Sequence, residues 1–142
     1  MAVKNSHTLV CDEVRQENTG KFFVIGLYTG PIMVPQIPIP LALTFLHFLE
    51  VDRLGRFTVK FRVEHLESGR RLVEGQGNIQ VVSPGLVLGP FRVPLQIDSE
   101  GAYNFILEVE GEREPIITPF TVSIVRQNFQ PGMMPMQGPP MR

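Results

Sequence analysis

The chain has 142 residues, 43% of them hydrophobic, and a formal net charge of −1. That length suits one domain with a real core, and the composition excludes a disordered chain. The near-neutral balance excludes the basic field of a nucleic-acid-binding domain and gives no pull toward an anionic membrane.

Cys11 is the single cysteine, so no intramolecular disulfide can form. A small domain without disulfides fits a reducing compartment. The opening Met1-Ala2-Val3-Lys4-Asn5-Ser6-His7 lacks the layout of a signal peptide. Apolar stretches are interrupted well before the ~20 residues a membrane span needs. Cytoplasmic residence is the expectation.

Turn signals recur at short intervals, with Gly closing most of them, which is how a sandwich or barrel punctuates itself. The segments between them predict eight strands, at about 8–16, 21–29, 41–51, 56–65, 71–82, 90–97, 102–110 and 118–126. The first holds the dense polar group Cys11-Asp12-Glu13-Val14-Arg15. A nucleophilic cysteine would need a base, and His7 shares its strand face but lies ~13 Å away. Cys11 therefore reads as a small buried apolar residue. Asp12 and Arg15 read as partners of neighbouring strands or loops.

Phe22–Tyr28 and Leu41–Leu49 are apolar on both faces and read as central strands. A helix competes for 41–51, but the proline-rich run before it and the Gly55 turn after it favour a strand. Between them, Pro31-Ile32-Met33-Val34-Pro35-Gln36-Ile37-Pro38-Ile39-Pro40 is extended and cannot be an interior strand. It reads as an apolar crossover lying against the sandwich or along one edge.

Phe57, Val59, Phe61 and Val63 alternate with Thr58, Lys60, Arg62 and Glu64 without a miss. Side chains two apart share a strand face, so the first set lines a core and the second meets water. Tyr103, Phe105, Leu107 and Val109 repeat the pattern, with Asn104, Glu108 and Glu110 outward. In 71–82, Gly75 and Gly77 mark a bulge, bare backbone under a bulky neighbour, or a docking site for a ligand backbone. Pro90 and Pro94 place the strand at 90–97 on an edge. The inner face is expected to comprise Val24, Phe45, Phe57, Val59, Phe61, Phe91, Val93, Tyr103, Phe105, Leu107 and Val122.

The histidines His7, His47 and His65 fall on separate segments with no metal-ligand spacing. His47, among apolar neighbours, reads as a core-edge histidine with one hydrogen bond. Arg53 with Arg56, and Arg70 with Arg71, read as solvated loop charges. No phosphate loop, dinucleotide fingerprint, nucleophile elbow or zinc-protease motif occurs, so no catalytic residue, metal or cofactor is assigned.

From Gln127 onward the chain is rich in Met and Pro and loses alternation. The expectation is a sandwich domain at 1–126 and a flexible tail at 127–142. Met133, Met134, Pro135, Met136, Pro139 and Pro140 are the candidate partner-binding residues, against the alternative of a merely solubilising terminus.

Taken in order, Cys11-Asp12-Glu13-Val14-Arg15, Gly20-Lys21-Phe22 and Ile25-Gly26-Leu27-Tyr28 resemble the opening of a group of small bacterial single-domain proteins with no established activity. The ending of that group is similar to Gly101-Ala102-Tyr103-Asn104-Phe105 and Pro119-Phe120-Thr121-Val122 here. The resemblance covers roughly residues 8–126 and implies an immunoglobulin-like sandwich. It carries over no site residues, and the Met/Pro-rich tail has no place in its pattern.

The expected fold is thus an all-β, antiparallel, immunoglobulin-like sandwich of about eight strands with a disordered Met/Pro-rich tail. The expected function is a non-enzymatic protein-interaction module, its partner another protein or itself. A structural subunit of a homo-oligomer or phage-type particle is the alternative, motivated by the apolar Pro31–Pro40 segment. A binder of small, carbohydrate-like ligands is the third.

Overall fold

The structure is a computed structural model, and it describes residues 3–126. The expected tail, including the six Met and Pro residues named above, lies outside the described residues. Within them the chain forms nine strands: β1 (Val3–Gln16), β2 (Phe22–Leu27), β3 (Ile32–Val34), β4 (Ile39–Val51), β5 (Gly55–His65), β6 (Arg71–Val81), β7 (Gly85–Ile97), β8 (Gly101–Val109) and β9 (Ile116–Ile124). They make two packed sheets, one of four strands in the order β2-β1-β4-β7 and one of five in the order β3-β9-β8-β5-β6.

The alternation of β5 and β8 is realised as written. Val59, Val63, Phe105 and Leu107 are fully buried, while Lys60 and Glu108 face out. These strands pair centrally in the five-stranded sheet, Phe61 opposite Leu107 and Val63 opposite Phe105. Across the interior, the rings of Phe45 and Phe105 stack with centroids 4.2 Å apart, and Tyr103 stacks on Phe120 at 5.2 Å. One core therefore joins the two sheets, with aromatic pairs adding to area burial.

β4 is a strand, as expected, and is buried through Leu43–His47. β7 stands at a sheet edge, where Pro90 and Pro94 cost no ladder bond on the open side. Phe61 sits directly opposite Gly75. A Cβ on Gly75 would come within 2.5 Å of the Phe61 ring, whereas one on Gly77 would meet nothing within 4 Å. Gly75 is thus bare backbone under a bulky neighbour.

Four expectations are corrected. First, β2 is an edge strand, not a central one. Phe23, Val24, Ile25 and Leu27 are 50%, 38%, 41% and 49% exposed, so Val24 leaves the expected inner face. An apolar run is buried only if a neighbour covers it, and here the sheet ends at β2. Second, the count is nine strands and not all pairs are antiparallel. The proline-rich segment contributes β3, which runs parallel to β9, Ile32 opposite Val122 and Val34 opposite Ile124. Third, that segment is an exposed apolar surface only in part, through Pro31, Met33, Pro35, Pro38 and Pro40. Ile32 and Val34 are each 2% exposed and only Met33 between them turns out, because three extended residues alternate faces. Fourth, His47 has no hydrogen bond on either ring nitrogen.

Candidate functional site

The register decides which side chains share each outer face. In the four-stranded sheet, Leu43, Phe45 and Leu49 of β4 join the core, so Ala42, Thr44, Leu46 and Phe48 take the opposite face. Their neighbours on that outer face are Pro94 beside Ala42, Pro90 and Leu9 flanking Leu46, and Leu88 and His7 flanking Phe48. His7 stacks flat on Phe48 at 4.1 Å. Farther across, Leu27 lies beside Cys11, Ile25 beside Glu13 and Phe23 beside Arg15. The outer face is therefore largely apolar, but Thr44 and exposed Arg92 opposite it interrupt it in mid-sheet, and Glu13 and Arg15 interrupt it toward β2.

The far end of this face is a projecting arm. β1 pairs with β4 only over Val3–Cys11, and from there to Gln16 it pairs with β2 alone. The resulting two-stranded ribbon is apolar on both sides along β2. Gly26 carries φ +71, and the Asp12 side chain occupies the space a Cβ would need. The Tyr28 hydroxyl donates to Asp12 at 2.6 Å. Burial, then the Asp12 carboxylate, pushes the Tyr28 phenol up to about 12. This contact pins the base of the arm.

The polar residues singled out in the first strand do not converge on a reactive centre. Cys11 is fully buried, its thiol directed at the Thr44 and Glu13 carbonyls, both 3.7 Å away. Burial raises its pKa, so it stays a thiol. Asp12 partners the neighbouring segment through Tyr28, as expected, whereas Arg15 bonds Glu13 of its own strand at 2.9 Å. That bond holds the Glu13 carboxyl below its usual range, with a smaller pull from Arg92.

The other flagged residues make local contacts. His65 is bonded through Nδ1 to Ser68 at 2.8 Å and through Nε2 to the Glu100 carbonyl at 3.0 Å. Arg53 lies over the Phe57 ring at 4.3 Å and donates to the Glu110 carbonyl. Arg70 pairs with Asp98, and Arg71 with Glu64 and Glu74. Among the described residues no three or more His, Cys, Asp or Glu gather where they could hold a metal. No helix there is long and apolar enough to cross a membrane.

An open cleft of about 440 Å³ runs between the base of the arm and β9, walled by Val10, Tyr28, Pro31, Ile32, Pro119 and Phe120. The Tyr28 hydroxyl in its wall donates to Asp12.

Reading the sequence alone missed the apolar outer face. Leu9, Leu46 and Phe48 each look like core residues in one dimension, and only the register puts them on the outer face, where Leu46 is nonetheless 1% exposed. No curated protein matches the chain. The match to a family model spans residues 6–123, nearly the whole described sandwich, and the chain belongs to that family of unknown function, DUF6941.

Proposed function

We propose that this protein is a non-enzymatic protein-interaction module of the cytoplasm, built on an immunoglobulin-like sandwich and docking through the outer face of its four-stranded sheet. The observation that carries the reading is that face. Exposed Phe23, Ile25, Leu27, Leu86 and Pro90 stand on it around half-buried Leu9 and Phe48, while Leu46 among them is only 1% exposed. Contiguous exposed apolar surface of this kind marks binding sites.

The immunoglobulin-like plan is supported by the β4–β7, β5–β8 and β8–β9 pairings and by β3 running parallel to β9. Tyr103 adds a tyrosine corner, its hydroxyl donating to the Ser99 carbonyl just before β8. Two residues on, Phe105 stands where antibody-type domains keep the second cysteine of their inter-sheet disulfide, and its stack with Phe45 takes that bridge's place. The non-enzymatic reading rests on the reactive side chains being sealed or saturated: Cys11 buried as a thiol, His65 bonded on both nitrogens, His47 enclosed. A lone buried thiol also suits a reducing cytoplasm.

The test is capture on immobilised full-length protein from cells expressing it, against a double variant Ile25→Lys with Leu27→Lys. The expected result is that proteins retained by the unaltered chain are lost from the variant. Equal retention by both would remove this face from the reading.

A further inference from the structure

We infer that the partner of this face is a second copy of the same chain, the two four-stranded sheets packing face to face about a two-fold axis. The inference rests on the interaction reading above and narrows it to one occupant.

Size is the first argument. Strands ~4.8 Å apart rising ~3.3 Å per residue give β7, β4 and β1 plus the arm roughly 600–700 Å² per copy. Two copies would bury roughly 1,200–1,400 Å², at the lower end of stable specific interfaces.

Charge is the second. The few charged groups on the face occur as neighbours of opposite sign. Lys4 lies opposite Glu50 across β1 and β4. Glu13 is bonded to Arg15 and also feels Arg92. A surface meeting its own copy must not repel itself, and Lys4, Arg15 and Arg92 set against Glu50 and Glu13 leave only a small excess of charge across it. A face shaped for a strongly charged foreign partner would carry an excess of one sign.

Shape is the third. Cross-strand rows such as Leu9, Leu46 and Pro90 or His7, Phe48 and Leu88 are what aligned sheet-on-sheet packing interdigitates, with sheets ~10 Å apart.

The test is sedimentation velocity on the full chain at about 1–100 µM, with thermal unfolding of each variant to confirm its fold. The unaltered protein is expected at twice the 16.0 kDa chain mass. The Ile25→Lys, Leu27→Lys double variant should weaken self-association at least ~100-fold. Leu86→Lys, at the opposite end of the face and 61% exposed, should weaken it about tenfold and serves if the double variant does not fold. Met33→Lys, 52% exposed on the edge of the other sheet, should leave the dimer intact. A dimer indifferent to the face variants but broken by Met33→Lys overturns the inference, since the contact then lies elsewhere. Monomer mass at 100 µM overturns it too. If such a monomer still captures another protein through the face, self-pairing falls and the interaction reading stands; if it captures nothing through the face, both fall.

Discussion

The two sheets of this sandwich share one core and treat their other surfaces in opposite ways. Outside the five-stranded sheet, β5 presents Thr58, Lys60, Arg62 and Glu64. There Arg62 bridges Glu64 at 2.6 Å and Glu108 at 2.9 Å, and Arg71 reaches Glu64 at 3.5 Å. Outside the four-stranded sheet, the same kind of positions hold Leu9, Leu46, Phe48, Leu88 and Pro90. The interiors differ the other way round. On the five-stranded sheet, the buried histidine His65 is bonded on both nitrogens. On the four-stranded sheet, His47 is fully buried and bonded on neither, its ring edge-on to Phe91 and Phe105. A shared core thus leaves each sheet free to face either solvent or a partner.

The largest stability effect expected from this contrast concerns His47. Burial lowers its pKa from 6.5 to about 4, so in that interval the unfolded chain binds more protons than the folded one. The contribution of a neutral His47 is therefore whole above pH 6.5 and lost as pH falls toward 4, on the order of 3 kcal/mol. Urea unfolding from pH 7.5 to 4 should show that slope for the natural chain. His47→Leu should flatten it and leave stability at pH 7 equal or higher, since an unpartnered imidazole is costly to bury. Identical slopes for both proteins would mean that His47 finds a partner in solution.

Next comes the bare backbone of β6. Gly75→Val drives a Cβ into the Phe61 ring and should cost about 1–3 kcal/mol. Gly77→Val, meeting open space on the same strand, should be neutral or slightly stabilising. Denaturant midpoints of the pair compare close packing with strand propensity alone.

Smaller still, Arg62→Ala should cost at most about 1 kcal/mol, with the loss shrinking in high salt, because its ion pairs are partly exposed. The smallest effect belongs to the apolar outer face. Leu86→Lys should move the thermal midpoint of dilute protein hardly at all, within about 0.5 kcal/mol, while altering association. A large stability loss there would mean that Leu86 is core, and the contrast between the two outer faces would collapse.

By itself the sequence determined the strand character of the chain and which side chains of β5 and β8 face inward. Strict alternation has only one solution when one side must be dry. Pro90 and Pro94 likewise announced an edge, because a missing N–H is tolerated only where no neighbour needs it. The glycines at 75 and 77 left a bulge, close packing and ligand docking open, and the structure places close packing at Gly75 alone.

Tertiary structure decided what alternation cannot encode. The apolar run of β2 and the apolar run of β4 are equivalent as strings. One ends at a sheet edge and the other lies between β1 and β7 inside its sheet, because strand order depends on pairings between residues far apart in the chain. The same long-range pairing turned Ile32 and Val34 of the proline-rich segment inward against β9, and closed the core around His47 without supplying a hydrogen-bond partner. It also gathered Leu9, Leu46, Phe48 and Pro90 onto one outer face. Local pattern sets which residues seek cover, and the packing of distant strands determines which of them find it.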